Sequence, residues 1–330
     1  MRVEIETGSR LHFGLLCPTP DQRWYYGGLG MMIQNPGCRL SLSIKSAEKD
    51  DVGADQLDVD VGVRIRVAKF LADYRATGQF DLPPVVVKSH RQVALHSGLG
   101  TGTQLTLALA AGCRILSGQG ISRDVSGIAR QFGRSRRSAV GTMGFASGGF
   151  LVDYGRWEDR VERIEFPEEW QLVLIRPRQA AGLSGDSEET FFGDRKPLTQ
   201  TTLAELVNLI QQQIVPAIEA KYFAEFAAGL QAYGDLAGAD FAAMQGGLFS
   251  SAVMRDVLRQ LKSLTEFTAV QSSWGPTVCL PIESKLEAQN LVGKLRSIVD
   301  DSVAEILVSC VRNQGASIRT DGDIIQRALG

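Results

Sequence analysis

The chain has 330 residues, of which 44% are hydrophobic, so it is long enough to form two domains that each bury a core. Its 35 Lys and Arg residues nearly balance its 37 Asp and Glu residues, and the formal net charge of −2 excludes the global basic field that a nucleic-acid backbone requires. The five cysteines are odd in number, lie far apart and include no Cys-x-x-Cys pair. They therefore predict reduced, mostly buried thiols rather than a disulfide framework or a zinc site.

The N-terminal residues alternate charged and apolar side chains, which is typical of a first strand and unlike the apolar core of a signal peptide. The most apolar stretch, residues 105–116, is too short to span a bilayer. We therefore expect a cytoplasmic protein that has neither a membrane nor a nucleic-acid partner.

Two functional side chains follow the first predicted strand. Arg10 and His12 lie on one face of an extended segment, because side chains alternate along a strand. A guanidinium is planar and can donate two parallel hydrogen bonds to a phosphate, and an imidazole is a hydrogen-bond donor or a base. Both residues are therefore catalytic candidates, whereas a packing role for His12 stays open. For His90 and His96 we favour surface or structural roles.

The first half of the chain mixes strands and helices. Alternating apolar residues predict strands, and helical spacing predicts one helix before the central loop. The strands cover residues 3–5, 40–44 and 85–87, and the helix covers residues 63–74. Residues 25–30 contain three glycines and predict a flexible segment that a ligand approaches closely, with Gly27 and Gly28 as substrate contacts.

A glycine loop at residues 97–104 precedes a predicted helix over residues 105–116. Alternate glycines let the backbone approach an anion, and the N–H groups at a helix start carry a partial charge of about +0.5. The loop is not a Walker motif, because no Gly-Lys-Ser/Thr follows, and it does not fit a dinucleotide fingerprint. A turn that only permits tight helix packing is the alternative. The predicted phosphate or pyrophosphate ligands are Ser97, Gly98, Gly100, Thr101, Gly102, Thr103 and Gln104.

The domain boundary is predicted near the charged residues 157–169, which divides the chain into residues 1–165 and 166–330. Before it lies a second glycine-bearing segment, residues 134–149, with a short basic cluster of Arg134, Arg136 and Arg137 that is either functional or a solvated loop. After it, a polar loop carries Glu188 and Glu189, which either hold Mg²⁺ or cap the next helix. The remaining predicted elements are strands at 172–175, 306–310 and 317–319 and helices at 202–220, 223–236 and 285–298.

Three segments together resemble the GHMP superfamily of small-molecule kinases: residues 10–14, 98–104 and 271–277. The resemblance covers nearly the whole chain. It implies an α+β, GHMP-kinase-like two-domain fold, with an N-terminal domain like ribosomal protein S5 and a ferredoxin-like C-terminal domain.

Within that superfamily the chain resembles the β-ribofuranosylaminobenzene 5′-phosphate synthases. Six segments match in order, namely residues 10–14, 98–104, 137–142, 148–150, 182–185 and 271–276. The resemblance implies phosphoribosyl transfer from phosphoribosyl pyrophosphate to 4-hydroxybenzoate or 4-aminobenzoate, with loss of CO₂ and pyrophosphate, in tetrahydromethanopterin biosynthesis. Mg²⁺ is the implied cofactor, and a homodimer is expected because two-fold oligomers are the commonest.

The resemblance also suggests roles for single residues. Arg10 and Arg137 would bind phosphate or carboxylate, and His12 would hydrogen-bond the para substituent. Trp274 either stacks on the benzoate ring or packs between strands. Further substrate contacts are expected from Gly27, Gly28, Ser184, Gly185, Ser273 and Gly275.

The chain departs from the kinases of the superfamily at one catalytic position. Where those kinases carry an Asp that abstracts a proton, this chain has Gly141, which cannot do so. A proline and an indole in residues 272–276 replace a glycine-rich motif. Both differences disfavour ATP-dependent phosphoryl transfer, but a kinase with another base and a non-catalytic nucleotide sensor remain alternatives.

Overall fold

The computed structural model describes residues 1–16, 26–46, 54–79, 81–91, 95–135, 138–155, 161–178, 198–321 and 323–326. Three of the four cysteines in these ranges, Cys38, Cys113 and Cys279, are buried free thiols, as predicted. None of the helices in these ranges combines the length and the apolar character that a membrane crossing needs.

The first sheet has eight strands and is built on two long antiparallel strands, β1 (Arg2–Leu16) and β2 (Gly27–Ile44). Alternation along β1 buries Val3 and Ile5 completely. The other strands are β3 (Gln56–Asp58), β4 (Val85–Arg91), β5 (Phe150–Asp153), β6 (Val161–Ile164), and two that come from the end of the chain and are labelled below.

Within the residues that the structure describes, four helices accompany this sheet: α1 (Val61–Ala76), α2 (Thr101–Leu116), α3 (Val125–Gln131) and α4 (Val140–Ser147). Helix α2 is buried along most of its length, since Leu105, Leu107, Leu109 and Cys113 are each at most 2% exposed. Such burial explains why its sequence is apolar all round rather than on one stripe.

The second sheet has four antiparallel strands in the order β10-β7-β9-β8. These strands are β7 (Gln171–Pro177), β8 (Val270–Gln271), β9 (Val278–Ile282) and β10 (Ala304–Ser309). The accompanying helices are α5 (Gln200–Asn208), which continues through a π-helical stretch (Leu209–Ile214) into α6 (Val215–Glu219), then α7 (Phe223–Gln245), α8 (Ala252–Lys262) and α9 (Lys285–Ile298).

The two sheets share a hydrophobic core. Leu11 and Leu29 of the first sheet belong to the same buried cluster as Leu172, Leu174 and Phe226. The chain then returns to the first sheet, where β11 (Ser317–Thr320) pairs with β1 and β12 (Asp323–Gln326) pairs with β11. The predicted boundary at residue 165 stays a prediction, but the last strands do not belong to the second sheet.

Most predicted elements are present, and the predicted α+β class is confirmed. The flexible segment predicted at residues 25–30 is wrong for residues 27–30, which lie within β2 and pair with β5. The sequence analysis also missed α8, although it has a Ser251 cap and buries Met254, Val257 and Leu258 at helical spacing.

Candidate active site

The three motif segments lie side by side at the start of α2. The Arg10 N–H donates to the Leu99 carbonyl at 2.9 Å, which ties β1 to the glycine loop. The His12 N–H donates to Ser272 Oγ at 3.1 Å, and the Ser273 N–H donates to the His12 carbonyl at 2.6 Å. The structure therefore brings together residues that are about 260 positions apart in sequence.

Hydrogen bonds also join the glycine loop to the loop before β9. Ser272 Oγ donates to the Gly98 carbonyl at 2.7 Å, and Thr277 Oγ1 donates to the Ser97 carbonyl at 2.6 Å. Gly98 has φ +78°, and a β-carbon there would lie 2.8 Å from the carbonyl oxygens of Ser272 and Gly275. Gly98 is thus required for loop packing, and its predicted phosphate contact remains a prediction.

Arg10 crosses the start of α2. Gly100, the N-cap residue, has φ +65°, and a β-carbon there would lie 2.9 Å from Arg10 Cβ and 3.1 Å from its Nε. Gly141 faces the same place, because its β-carbon would lie 3.8 Å from Arg10 Nε and 3.5 Å from Thr103 Cγ2. Gly141, which stands where the resemblance implies a catalytic Asp in the kinases, therefore lies beside a guanidinium.

The Gln104 side chain forms its hydrogen bonds inside the protein. Its Oε1 accepts from Thr7 Oγ1 at 2.7 Å, and its Nε2 donates to the Gly141 carbonyl at 2.7 Å. The side chain is 1% exposed, so it joins β1, α2 and α4 instead of facing a ligand. The phosphate contact predicted for Gln104 remains a prediction.

Asp153 fixes the helix that carries Gly141, a role the sequence analysis missed. Its Oδ2 accepts from the Ala139 N–H at 2.7 Å and from Ser138 Oγ at 3.1 Å, and its Oδ1 accepts from the Gly155 N–H at 2.9 Å. A carboxylate at a helix N-terminus interacts favourably with the helix dipole and so stabilises the helix. No sequence pattern signals it, because the carboxylate comes from β5.

His12 is buried and neutral. Burial, and to a lesser extent the charge of Arg10, hold its pKa well below the usual 6.5. The Gly14 N–H donates to Nδ1 at 3.4 Å, which fits a ring that carries its proton on Nε2. Nε2 has no hydrogen-bond partner among the residues that the structure describes. The surroundings of the ring therefore disfavour its cationic form.

Gly27 and Gly28 make room for protein atoms. A β-carbon at Gly28 would lie 2.5 Å from His12 Cε1 and 2.7 Å from its Nε2. A β-carbon at Gly27 would collide with the Asp153 carbonyl oxygen and lie 2.6 Å from the Gly155 nitrogen. These glycines are thus required for packing, and their predicted substrate contacts remain predictions.

Trp274 is 7% exposed and packs at the edge of a cleft, whereas Ser273 beside it is exposed. The cleft is lined by His12, Phe13, Phe249 and Val270 among others, and its free volume is about 40 Å³. Ligand pockets usually enclose hundreds of Å³. The geometry thus agrees with the packing alternative for Trp274, and ring stacking remains a prediction.

Five predicted site residues lie outside the described residues: Arg137, Ser184, Gly185, Glu188 and Glu189. Within the described ranges, no group of three or more His, Cys, Asp or Glu side chains is arranged to hold a metal ion. Conversely, the structure places Arg66 of α1 and Arg134 at the start of α2, although the sequence analysis assigned Arg66 no role.

Solved structures with this fold are small-molecule kinases and decarboxylases. The homoserine kinase of Cytophaga hutchinsonii superposes with a TM-score of 0.66 at 15% identity, over 96% of this chain and 97% of that one. The mevalonate diphosphate decarboxylase of Staphylococcus aureus gives a TM-score of 0.68 at 14% identity, over 97% and 98%. The predicted GHMP-kinase-like fold is therefore confirmed.

Sequence relatives are more specific. The β-ribofuranosylphenol 5′-phosphate synthase of Methanothermobacter thermautotrophicus is 26% identical and covers 94% of this chain and 97% of its own. The synthase of the same name from Methanocaldococcus jannaschii is 24% identical over 95% and 99%. No protein-family model matches the chain. The predicted resemblance to this family of synthases is confirmed over nearly the whole length.

Proposed function

We propose that the chain transfers a phosphoribosyl group from phosphoribosyl pyrophosphate to 4-hydroxybenzoate. The products are a ribofuranosylphenol 5′-phosphate, CO₂ and pyrophosphate, and the pathway is tetrahydromethanopterin biosynthesis. The names of the relatives support formation of this aryl riboside phosphate, and the word phenol favours the hydroxy acid over the amino acid. The observation that carries the proposal is Arg10 lying across a glycine-rich helix start.

The helix start and Arg10 would stabilise the departing pyrophosphate. Thr103 and Gln104 donate their N–H groups to the Gly100 carbonyl, so the amides that precede them face the open end of the helix. As the bond from ribose C1 to oxygen breaks, negative charge grows on the pyrophosphate, and fixed donors and a guanidinium stabilise that charge.

The second half of the reaction needs no base at position 141. The ring carbon that bears the carboxylate attacks ribose C1, and the para oxygen delocalises the positive charge of the ring. The bond to the carboxyl carbon then breaks, its electrons restore aromaticity, and CO₂ leaves in place of a proton. Gly141 beside Arg10 is consistent with this chemistry, whereas proton abstraction from an acceptor alcohol requires a base.

We further propose Mg²⁺ as a cofactor, a cytoplasmic location and a homodimer. Mg²⁺ takes oxygen ligands, many of which substrate phosphates supply. The predicted ligands Glu188 and Glu189 lie outside the described residues, so no step is assigned to the ion. Burial raises the pKa of the Cys38 and Cys113 thiols to about 12, which suits thiols that remain reduced. Chelator titration and light scattering test the cofactor and the oligomer.

Release of ¹⁴CO₂ tests the proposed function. The purified chain is incubated with Mg²⁺, phosphoribosyl pyrophosphate and either carboxyl-labelled 4-hydroxybenzoate or 4-aminobenzoate. Release from the hydroxy acid that requires phosphoribosyl pyrophosphate is the expected result. Faster release from the amino acid would correct the substrate, and no release from either acid by folded protein would refute the proposal.

A further inference from the structure

Two arginines from different elements converge on the second residue of α2. A β-carbon at Gly102 would lie 2.9 Å from Arg66 Nη1 and 3.4 Å from Arg134 Nη1. Arg66 comes from α1, and Arg134 follows α3. Glycine lowers the stability of a helix by about 1 kcal/mol relative to alanine. At this position the missing side chain lets the two guanidinium groups approach the helix backbone.

Each arginine makes a hydrogen-bond contact beside the start of α2. Arg134 Nε donates to Thr106 Oγ1 at 3.2 Å, and Thr106 Oγ1 donates to the Gly102 carbonyl at 2.8 Å. Arg66 Nη2 lies 3.4 Å from His96 Nε2, and no carboxylate pairs with Arg66 within the described part of the chain. The positive charge of Arg66 is therefore available to a ligand.

The pair contacts a different residue of the helix start from the one that Arg10 contacts. Gly100 is the N-cap residue, and Gly102 is the second residue of the helix. Arg10 contacts Gly100 and faces Gly141, whereas Arg66 and Arg134 contact Gly102. Cations thus lie against two separate residues at the start of α2, an arrangement that fits one ligand with two separate anionic groups.

We propose that Arg66 and Arg134 form a phosphate-monoester subsite that holds the 5-phosphate of the ribosyl substrate, while Arg10 and the glycine loop hold its pyrophosphate. The inference rests on the proposed function, because only one of the two anionic groups leaves in that reaction. A separate clamp keeps the ribose in place while the bond at C1 breaks, since the 5-phosphate remains on the product. Guanidinium forks match phosphate oxygens in pairs.

Calorimetric titration with two probes, ribose 5-phosphate and inorganic pyrophosphate, tests the subsite. Arg66→Ala is expected to raise the Kd of ribose 5-phosphate by about tenfold or more, as the loss of charge-assisted hydrogen bonds predicts. The Kd of pyrophosphate should change by less than about threefold, because only longer-range charge is lost. Arg10→Ala should show the opposite selectivity.

Three further variants sharpen the test. Arg64→Ala removes the same charge from an exposed position of the same helix and should leave both Kd values unchanged. Thr106→Val keeps all charges but removes the hydrogen bond from Arg134 Nε to Thr106 Oγ1, and it should weaken the binding of ribose 5-phosphate alone. Arg66→Lys keeps the charge without the fork and should retain part of the affinity.

The subsite is overturned if Arg66→Ala weakens pyrophosphate as much as ribose 5-phosphate, if it changes neither Kd, or if the wild-type chain does not bind ribose 5-phosphate. Release of ¹⁴CO₂ by the wild-type chain is measured in parallel. Release together with unaltered probe binding in Arg66→Ala would refute the subsite and leave the proposed function standing. Selective loss of ribose 5-phosphate without any release would support the subsite and refute the reaction.

Discussion

Two glycine-bearing segments of this chain look alike in sequence and differ in what their glycines face. Gly27 and Gly28 lie in β2, where the missing side chains make room for the Asp153 backbone and the His12 ring. Gly100 and Gly102 lie at the start of α2, where the missing side chains make room for the long, charged side chains of arginines. A side chain that lies close to a glycine therefore indicates a ligand site only where that side chain is charged and a ligand can approach it.

If the helix start is the anion site, Arg10→Ala should have the largest effect. Loss of a preorganised donor to a developing charge typically lowers kcat about 100- to 1000-fold, or roughly 3–4 kcal/mol. We expect a loss of this size in ¹⁴CO₂ release. Arg259→Ala is the control, since Arg259 forms an exposed ion pair with Asp256 and such pairs contribute little. Equal activity of the two variants would remove Arg10 from the site.

Gly27→Ala should lower the stability of the folded protein. The added methyl group would meet the Asp153 backbone, which cannot rotate away as a side chain does, so we expect a loss of about 3 kcal/mol in the free energy of unfolding. Urea denaturation measures the loss. Gly62→Ala in α1 is the control, because nothing lies within 4 Å of a β-carbon there. A stable Gly27→Ala variant with impaired substrate binding would return Gly27 to the substrate site.

Gly102→Ala is the converse case. Its β-carbon would meet the flexible end of Arg66, so the chain should fold with unchanged or slightly higher stability, whereas the guanidinium groups of Arg66 and Arg134 are pushed away from the helix start. Partial loss of bidentate contacts predicts a KM for phosphoribosyl pyrophosphate raised by about tenfold. Steady-state kinetics and urea denaturation of the same preparation decide the matter. An unfolded variant would show that Gly102, like Gly27, is required for packing.

Part of the fold and part of the candidate site could be predicted from the sequence. The alternating strands, the helices with apolar spacing and the three motifs were predictable, because each is written in local residue order. The position of Arg66 next to Gly102 was not predictable, because it depends on α1 lying beside the start of α2. The hydrogen bonds of Gln104 to Thr7 and Gly141 were equally inaccessible, since they join β1, α2 and α4 across the core.

The His12 ring packs against Gly28, so its titration tests how tightly this part of β2 is packed. Its pKa in the folded chain lies well below 6.5, chiefly because of burial and also because of Arg10, whereas in the unfolded chain the ring is protonated below about pH 6.5. The unfolded state thus binds more protons as pH falls, and the free energy of unfolding decreases by up to about 1.4 kcal/mol per pH unit below 6.5. At pH 5.5 we expect His12 to contribute a loss of about 1 kcal/mol relative to pH 7.5. Urea denaturation at both pH values should show this loss in the wild-type chain and a smaller one in His12→Gln. Equal losses in both proteins would mean that the ring is protonated in the folded state as readily as in the unfolded one, and that burial does not lower its pKa.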